Sequence, residues 1–324
     1  MYNPPFSISS KAINLIAKIS AQIERYAIRM EQSDSLKLRK ANRIKTIHSS
    51  LAIEGNNLSE GEVMAILDGK NVIAPQKEIL EVRNAIKTYE LYPTLNPFSI
   101  EDMLKAHLTM MSGLVDEAGM FRRRGVGVFD GTTAVHIAPP ADRVKDLMND
   151  LFIWLENSED HLLIRSCVFH YEFEFIHPFA DGNGRIGRLW QSLILGKLNP
   201  LFEHLPVENM VYANQQAYYD AITRSSAKGD SQPFIEFMLQ EILNALEDRK
   251  GHTVDEIGLA NSLSENEIKI LGLIRLDRHM SAKRLAEEIG ASPRQIERIL
   301  AGLKERSIIR RVGANRNGYW EVIG

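Results

Sequence analysis

The chain has a single cysteine, Cys167, among 324 residues, so no intramolecular disulfide can form and packing alone must hold the fold. Cys167 lies in an apolar helical stretch, residues 162–175, where buried packing outweighs a role as a reactive thiol. Apolar residues nowhere run uninterrupted for about 18 positions, which excludes an ordinary membrane-spanning helix. The opening Met1-Tyr2-Asn3-Pro4-Pro5-Phe6 lacks a basic region followed by an apolar core. No secretory signal is expected, and a cytoplasmic location is. The net charge of −3 excludes neither nucleic acid nor protein partners. Internal repeats and low-complexity segments are also missing. What is present, 44% hydrophobic and 25% charged residues, is the composition of a soluble globular protein able to bury a real core. The length suits two or three domains.

β-strand signals are scarce too, and helical periodicity dominates. Ile13, Ile16, Ala17, Ile19, Ile23 and Tyr26 keep one apolar face over residues 9–31. A second helix over 36–54 is ended by Gly55-Asn56-Asn57, and Ser59-x-x-Glu62 forms a capping box for a short helix closing at Asp68-Gly69. Helices follow over 76–91 and, N-capped by Ser99, over 100–112. Residues 119–140 break the pattern: Val126-Gly127-Val128-Phe129 and Ala134-Val135-His136-Ile137, separated by Asp130-Gly131-Thr132-Thr133, predict a hairpin. Helices 141–157, 162–175, 184–198, 212–227 and 231–248 come next.

Composition shifts near residues 249–263, a linker-like stretch leading to a capped unit. Helices are expected over 265–276, 281–289 and 292–305, then a terminal β pair, 308–312 and 318–322, joined by residues 313–317. Three helices and a small wing resemble a winged helix-turn-helix, with Arg294, Gln295 and Arg298 on the outward side of its recognition helix. Residues 262–324 carry net +4 while the remainder carries net −7, a polarity that suits DNA contact. The excess is small, and contact with another protein is the competing role.

Residues 177–188, His-Pro-Phe-Ala-Asp-Gly-Asn-Gly-Arg-Ile-Gly-Arg, concentrate the chemistry. His177 can accept a proton, and Asp181 can hold a hard divalent cation. Gly182-Asn183-Gly184 lets backbone N–H groups approach an anion without interference from a Cβ. Arg185 and Arg188 are three apart, so they project from neighbouring parts of one helix face, and the helix N-terminus adds its own positive field. Asp181-Gly182-Asn183-Gly184 also looks like the middle of an EF-hand loop. In that frame positions 1 and 12 fall on Phe179 and Trp190, so the required carboxylates are missing.

This stretch resembles, at every defined position, the signature of the Fic family, His-x-Phe-x-(Asp/Glu)-Gly-Asn-Gly-Arg-x-x-Arg. The resemblance implies a mainly α fold: a Fic-type helical core with one β-hairpin flap, here joined to the C-terminal winged helix-turn-helix. Its domains would be 1–95, carrying an inhibitory helix, 96–250, the catalytic core, and 262–324. It implies a protein adenylyltransferase that uses ATP with Mg²⁺. The phosphates would lie over Gly182, Asn183 and Gly184, the metal on Asp181, the β- and γ-phosphates against Arg185 and Arg188, and His177 would serve as base. Relatives that phosphorylate instead carry a bulkier residue at the second glycine, so Gly184 favours AMP transfer.

Ser50-x-x-x-Glu54-Gly55 resembles the family's inhibitory motif, (Ser/Thr)-x-x-x-Glu-(Gly/Asn), in which Glu54 would reach Arg188 in place of the γ-phosphate. The hairpin would be the flap that holds a target segment in extended form. In related proteins a polar residue and aromatics of a later helix border the adenine, which points to Asn214 and Tyr218. Core packing is the competing role, above all for Tyr219. The expected partners are ATP, a Ser, Thr or Tyr hydroxyl of a target protein or of the chain itself, DNA through the C-terminal unit, and a second copy in a homodimer, with no membrane. Competing functions are removal of AMP, transfer of another phosphate-linked moiety, and a DNA-binding regulator whose Fic domain is silent or self-modifying.

Overall fold

The computed structural model describes residues 2–32, 35–130, 133–204, 207–247, 265–276, 278–305, 309–312 and 319–322. The chain forms two compact units, Met1–Asp248 and Arg249–Gly324. The linker-like stretch 249–263, hairpin residues 131 and 132, and the expected turn at 313–317 lie outside the described residues.

The first unit is helical: α1 (Ser10–Gln32), α2 (Ser35–Ile53), α3 (Glu60–Leu67), α4 (Gln76–Leu91), α5 (Ile100–Met110), α6 (Val144–Asn157), α7 (Leu162–Ile176), α8 (Asn183–Leu198), α9 (Val207–Ala213), α10 (Gln215–Lys228) and α11 (Gln232–Glu247). Between α5 and α6, β1 (Gly127–Asp130) pairs antiparallel with β2 (Thr133–Ile137), with a bulge between Val128 and Phe129. Serines start the helices where expected. The Ser59 hydroxyl accepts from the Glu62 N–H while Glu62 reaches back to the Ser59 N–H, and the Ser99 hydroxyl accepts from the Asp102 N–H.

The site hangs on α7 and α8. Helix α7 is apolar nearly all round, as a helix at the centre of a core must be, and it packs between α6, α8 and α11. One continuous core joins residues of the first 95, such as Ile19, Leu51 and Val82, to Phe173, Trp190 and Phe234. Helix α2 runs against α8, which brings its C-terminal end to the start of that helix.

The expected single helix over 212–227 is instead two, α9 and α10, broken at Asn214. Asn214 leaves the helical region at φ −121° and ψ 36°, and its amide donates to the Met210 carbonyl (3.3 Å) and to Glu241 Oε2 (2.9 Å). An asparagine side chain that competes for backbone groups is a physical reason for the break.

In the second unit, helices Glu265–Leu276, Ala282–Ile289 and Pro293–Glu305 precede strands Ile309–Val312 and Tyr319–Val322, which pair antiparallel. Ile270, Leu285, Ile296, Leu303 and Ile309 form its core. The Trp320 N–H donates to the Arg278 carbonyl (2.8 Å), and the Arg311 guanidinium lies 4.8 Å from the centre of the Trp320 ring.

Candidate active site

Residues 177–182 turn the chain from the end of α7 into the start of α8. His177 ends α7 in the left-handed conformation, φ 50° and ψ 61°, the only non-glycine residue with positive φ among the described residues. Such a conformation costs on the order of 1–3 kcal/mol and persists only where the surroundings over-determine it. Here they do: the His177 N–H donates to the Phe173 carbonyl (2.9 Å), and its own carbonyl accepts from Arg122 Nε (2.7 Å).

The rest of the turn is locked from inside. Phe179 is fully buried and stacks on the His107 ring, with centroids 3.7 Å apart and planes 7° from parallel. Asn183 closes the loop on itself: its Oδ1 accepts from the Phe179 N–H and its Nδ2 donates to the Phe179 carbonyl, both at 2.9 Å. Its amide therefore holds the turn on both sides, and its backbone N–H remains for an anion. His107 Nδ1 accepts from the Gly119 N–H (2.8 Å), so the proton sits on Nε2, which donates to the Asp181 carbonyl (3.0 Å). Burial lowers the His107 pKa to about 4, against the pull of that carbonyl, and keeps the ring neutral.

Gly182 precedes α8 at φ 84°, with Met111 Sδ 2.7 Å from where a Cβ would stand, so both conformation and space require glycine there. The first N–H groups of α8 have no acceptor within the helix and face the turn as an anion site. Asp181 is half exposed, and its Oδ1 accepts from the Gly182 N–H (2.5 Å) and from Arg185 Nη2 (3.1 Å). Arg185 is buried between Asp181 and Glu81, whose Oε1 lies 3.9 Å from Nη1.

No cluster of three metal-ligating side chains occurs among the described residues. The donor set nevertheless fits Mg²⁺ carried by a triphosphate, an ion that keeps its waters and needs one or two carboxylates plus phosphate oxygens. Asp181 supplies one such carboxylate, with its second oxygen outside these hydrogen bonds.

Arg188 faces the end of α2. Its Nη2 donates to Glu54 Oε1 (2.8 Å) and to the Ser50 carbonyl (2.9 Å), and its Nε to the Ser50 hydroxyl (3.4 Å). The last turn of α2 tightens, with the Glu54 N–H going to the Leu51 carbonyl (3.0 Å) and Gly55 at φ 86°. Burial alone would lower the Arg188 pKa, and the groups around it, Glu54 foremost with Glu174 behind, together outweigh burial and raise it. Gly184 makes room for this pair: a Cβ there would stand 2.5 Å from Glu54 Oε1 and 2.9 Å from Arg188 Nη1.

Behind Arg188 lie two more carboxyls, Glu174 and Glu208, both pushed up to about 7 by burial, with Arg188 pulling each the other way. His170 donates from Nδ1 to Gln191 Oε1, so its Nε2 accepts from the Tyr218 hydroxyl (3.0 Å). Tyr218 is 3% exposed, among Phe234, Phe237 and His170, so its surroundings are those of a core residue. Asn214 is exposed, next to Gln215, whose amide reaches the Ile53 carbonyl at the end of α2 (3.4 Å).

The structure thus brings His177, Asp181, Gly182, Gly184, Arg185, Arg188, Ser50, Glu54 and Gly55 to one place. Sequence reading missed His107, Arg122, Glu81, Glu174 and Glu208. Arg122 sits in an Arg122-Arg123-Arg124 run that reads as a solvated basic stretch.

Residues 97–195 match the Fic/DOC family. Protein adenylyltransferase fic-1 of Caenorhabditis briggsae is 30% identical over 246 residues, covering 69% of this chain and 45% of its own. The corresponding Caenorhabditis elegans protein is 32% identical over 205 residues, covering 59% and 38%. The chain therefore spans less than half the length of these curated relatives. The solved structure of C. elegans Fic-1, 21% identical with a TM-score of 0.58 and coverage of 78% of this chain and 74% of that one, shares the fold. A Fic family protein from Desulfovibrio desulfuricans G20 is 40% identical, with a TM-score of 0.73 and coverage of 100% of this chain and 99% of that one. Since that likeness runs the length of both chains and the Fic/DOC match spans the turn that carries His177 and both arginines, this chain belongs to the Fic family.

Proposed function

We propose that this protein is an adenylyltransferase that moves AMP from ATP onto a Ser, Thr or Tyr hydroxyl of a protein, its own hydroxyls included, and that Glu54 restrains it. The observation that carries this reading is a histidine whose backbone is pinned at one end of an anion turn that two buried arginines back. ATP phosphates would lie over Gly182, Asn183 and Gly184 through backbone N–H groups. Mg²⁺ on Asp181, when bound, would supply neutralisation of phosphate charge. Arg185 would stabilise the β-phosphate and Arg188 the γ-phosphate, once Arg188 is free of Glu54.

His177 would take the proton of the attacking hydroxyl as its oxygen bonds to the α-phosphorus and pyrophosphate leaves with the electrons of the broken bond. A fixed electrostatic cradle with a placed base is how such transfers are promoted. Asn214, exposed beside the end of α2, is the group that would border the adenine, with Tyr218 supporting that wall from the core. The β1–β2 hairpin would receive the target segment by its strand edge. With an AMP-modified side chain in place of ATP, the oxygen of a water would bond to the same phosphorus while the side-chain oxygen leaves and takes a proton, and the same residues would remove AMP. The lack of a side chain at Gly184 favours AMP transfer over transfer of another phosphate-linked moiety.

A C-terminal winged helix-turn-helix that binds DNA is the second reading. It is favoured by the exposure of Arg294, Gln295 and Arg298 along helix Pro293–Glu305 and by the local net charge of +4 over residues 262–324. No described helix is long and apolar enough to cross a membrane, and the lone cysteine suits the reducing cytoplasm. A homodimer is compatible with self-modification between copies. Incubation of the purified protein with α-labelled ATP and Mg²⁺, followed by mass spectrometry for an AMP adduct, tests the main reading. Its absence from the Glu54→Gly variant as well would overturn it.

A further inference from the structure

Arg122 is 2% exposed, and all its guanidinium hydrogen bonds go to main-chain carbonyls. Two of these acceptors end α7: the Ile176 carbonyl (3.2 Å from Nη2) and the His177 carbonyl (2.7 Å from Nε). The other two flank the hairpin: the Arg124 carbonyl, three residues before β1 (2.9 Å from Nη1), and the Pro139 carbonyl, two residues after β2 (2.5 Å from Nη2). The Arg122 N–H adds a bond to the Pro178 carbonyl (2.9 Å). One planar cation therefore spans both legs of the hairpin and both peptides that bracket His177.

The charge is well placed there. The last carbonyls of a helix lack intrahelical partners and carry the negative end of its dipole, and a guanidinium satisfies several at fixed angles where an ammonium cannot. His177 needs such support because its left-handed backbone fixes where its ring can point. The hairpin needs it because its two strands pair only with each other among the described residues.

We propose that Arg122 is a positioning residue that holds His177 and the two roots of the hairpin in one frame, so that the imidazole stays aligned with whatever segment the hairpin receives. The proposal rests on the reading of His177 as the base of AMP transfer. Arg122 touches neither the phosphates nor the adenine in that reading, so its loss should misplace the base without weakening ATP.

The test uses the full chain in the Glu54→Gly background, with self-labelling from α-labelled ATP as the readout. Arg122→Lys keeps the charge but not the fork. It should lower the maximal labelling rate by about ten- to a hundredfold and leave half-saturation by ATP within about twofold, since a displacement near 1 Å has that effect on rate. In Arg122→Ala, added guanidinium should restore part of the rate and methylammonium should not. Backbone hydrogen exchange in Arg122→Lys should rise together in residues 123–126, at Ala138, and at Ile176, His177 and Phe179.

Parent-like labelling by Arg122→Lys would overturn the proposal, as would faster exchange confined to the hairpin legs. If the parent itself fails to label, the AMP-transfer reading falls. The joint rise or its absence in exchange then still decides whether Arg122 ties the hairpin to His177.

Discussion

Glu54 Oε1 and Arg188 Nη2 stand 2.8 Å apart across the space that a side chain on Gly184 would fill. An acidic and a basic side chain 134 residues apart in sequence thus meet over Gly184. In the proposed reading Arg188 cannot pair with Glu54 and with a γ-phosphate at once.

Glu54→Gly should therefore raise self-labelling by about 10²-fold, the order of effect expected when a misaligned reactant is brought back by about 1 Å. ATP affinity, measured by titration, should change less. Arg188→Ala removes the inhibitory partner and the phosphate ligand together and should not activate. The double variant should be as poor as Arg188→Ala alone, because the gain from losing Glu54 requires Arg188. Unchanged labelling in Glu54→Gly would reduce Glu54 to a helix-end residue.

His177→Ala should abolish labelling, with about 10²–10⁴-fold lost when a general base is removed. ATP binding should stay close to that of the parent, since the phosphate contacts are assigned to residues after it. An equal loss of ATP affinity would make His177 a binding residue.

Gly184→Ala tests the crowding directly. Its Cβ would press on both Glu54 and Arg188, so thermal unfolding should show a loss of about 1–3 kcal/mol, the usual range for overpacking. In Glu54→Gly the nearest clash is gone, and the same substitution should cost measurably less stability. Equal costs in the two backgrounds would mean that the carboxylate already moves aside freely.

Much of this site is legible in the sequence because it is written in residue types at fixed spacing. His177, Asp181, the two glycines and the two arginines need no tertiary information to be read as an anion turn with a base. The serine caps at Ser59 and Ser99 are equally local, each a hydroxyl meeting an N–H three residues on. Arg122 and His107 were hidden because their partners are backbone carbonyls and N–H groups, which have no residue type. The break at Asn214 was hidden because apolar positions such as Val211 and Tyr218 continue a helical period across it. Glu174 and Glu208 carry no signal in the sequence, and only the packing of α7 and α9 shows them beside Arg188.

Those two acids give a pH prediction. Glu174 titrates near 7 in the folded chain, above its ordinary value near 4.5, because burial penalises its charged form. The native state then holds a proton that the unfolded state has lost between about pH 4.5 and 7, so this group makes stability fall as pH rises through that window. Glu174→Gln removes the term. Its stability relative to the parent should improve from pH 4.5 to 7 and level off above, by up to about 3 kcal/mol. The buried His107 and His170, both held near 4, contribute with the opposite sign and are common to both proteins. A difference that is flat with pH would show Glu174 to be charged throughout.

A chain ending near Leu259 should fold and keep self-labelling, since residues 1–248 form a compact unit with its own core. If the C-terminal unit binds DNA, retardation of genomic fragments by the full chain should weaken as salt rises, through counterion release. An insoluble or inactive truncation would assign the C-terminal unit to the catalytic body.

Arg188 also holds the Ser50 carbonyl, an acceptor that no substitution of a side chain can delete. Removing the Glu54 carboxylate thus cuts one of three cords, leaving the Ser50 hydroxyl and a carbonyl that belongs to the peptide chain of α2 itself. Complete release of Arg188 asks for the last turn of that helix to unwind or shift as a body. In the proposed reading, an activator would accordingly act by pulling on α2 through its backbone rather than by competing for a single carboxylate.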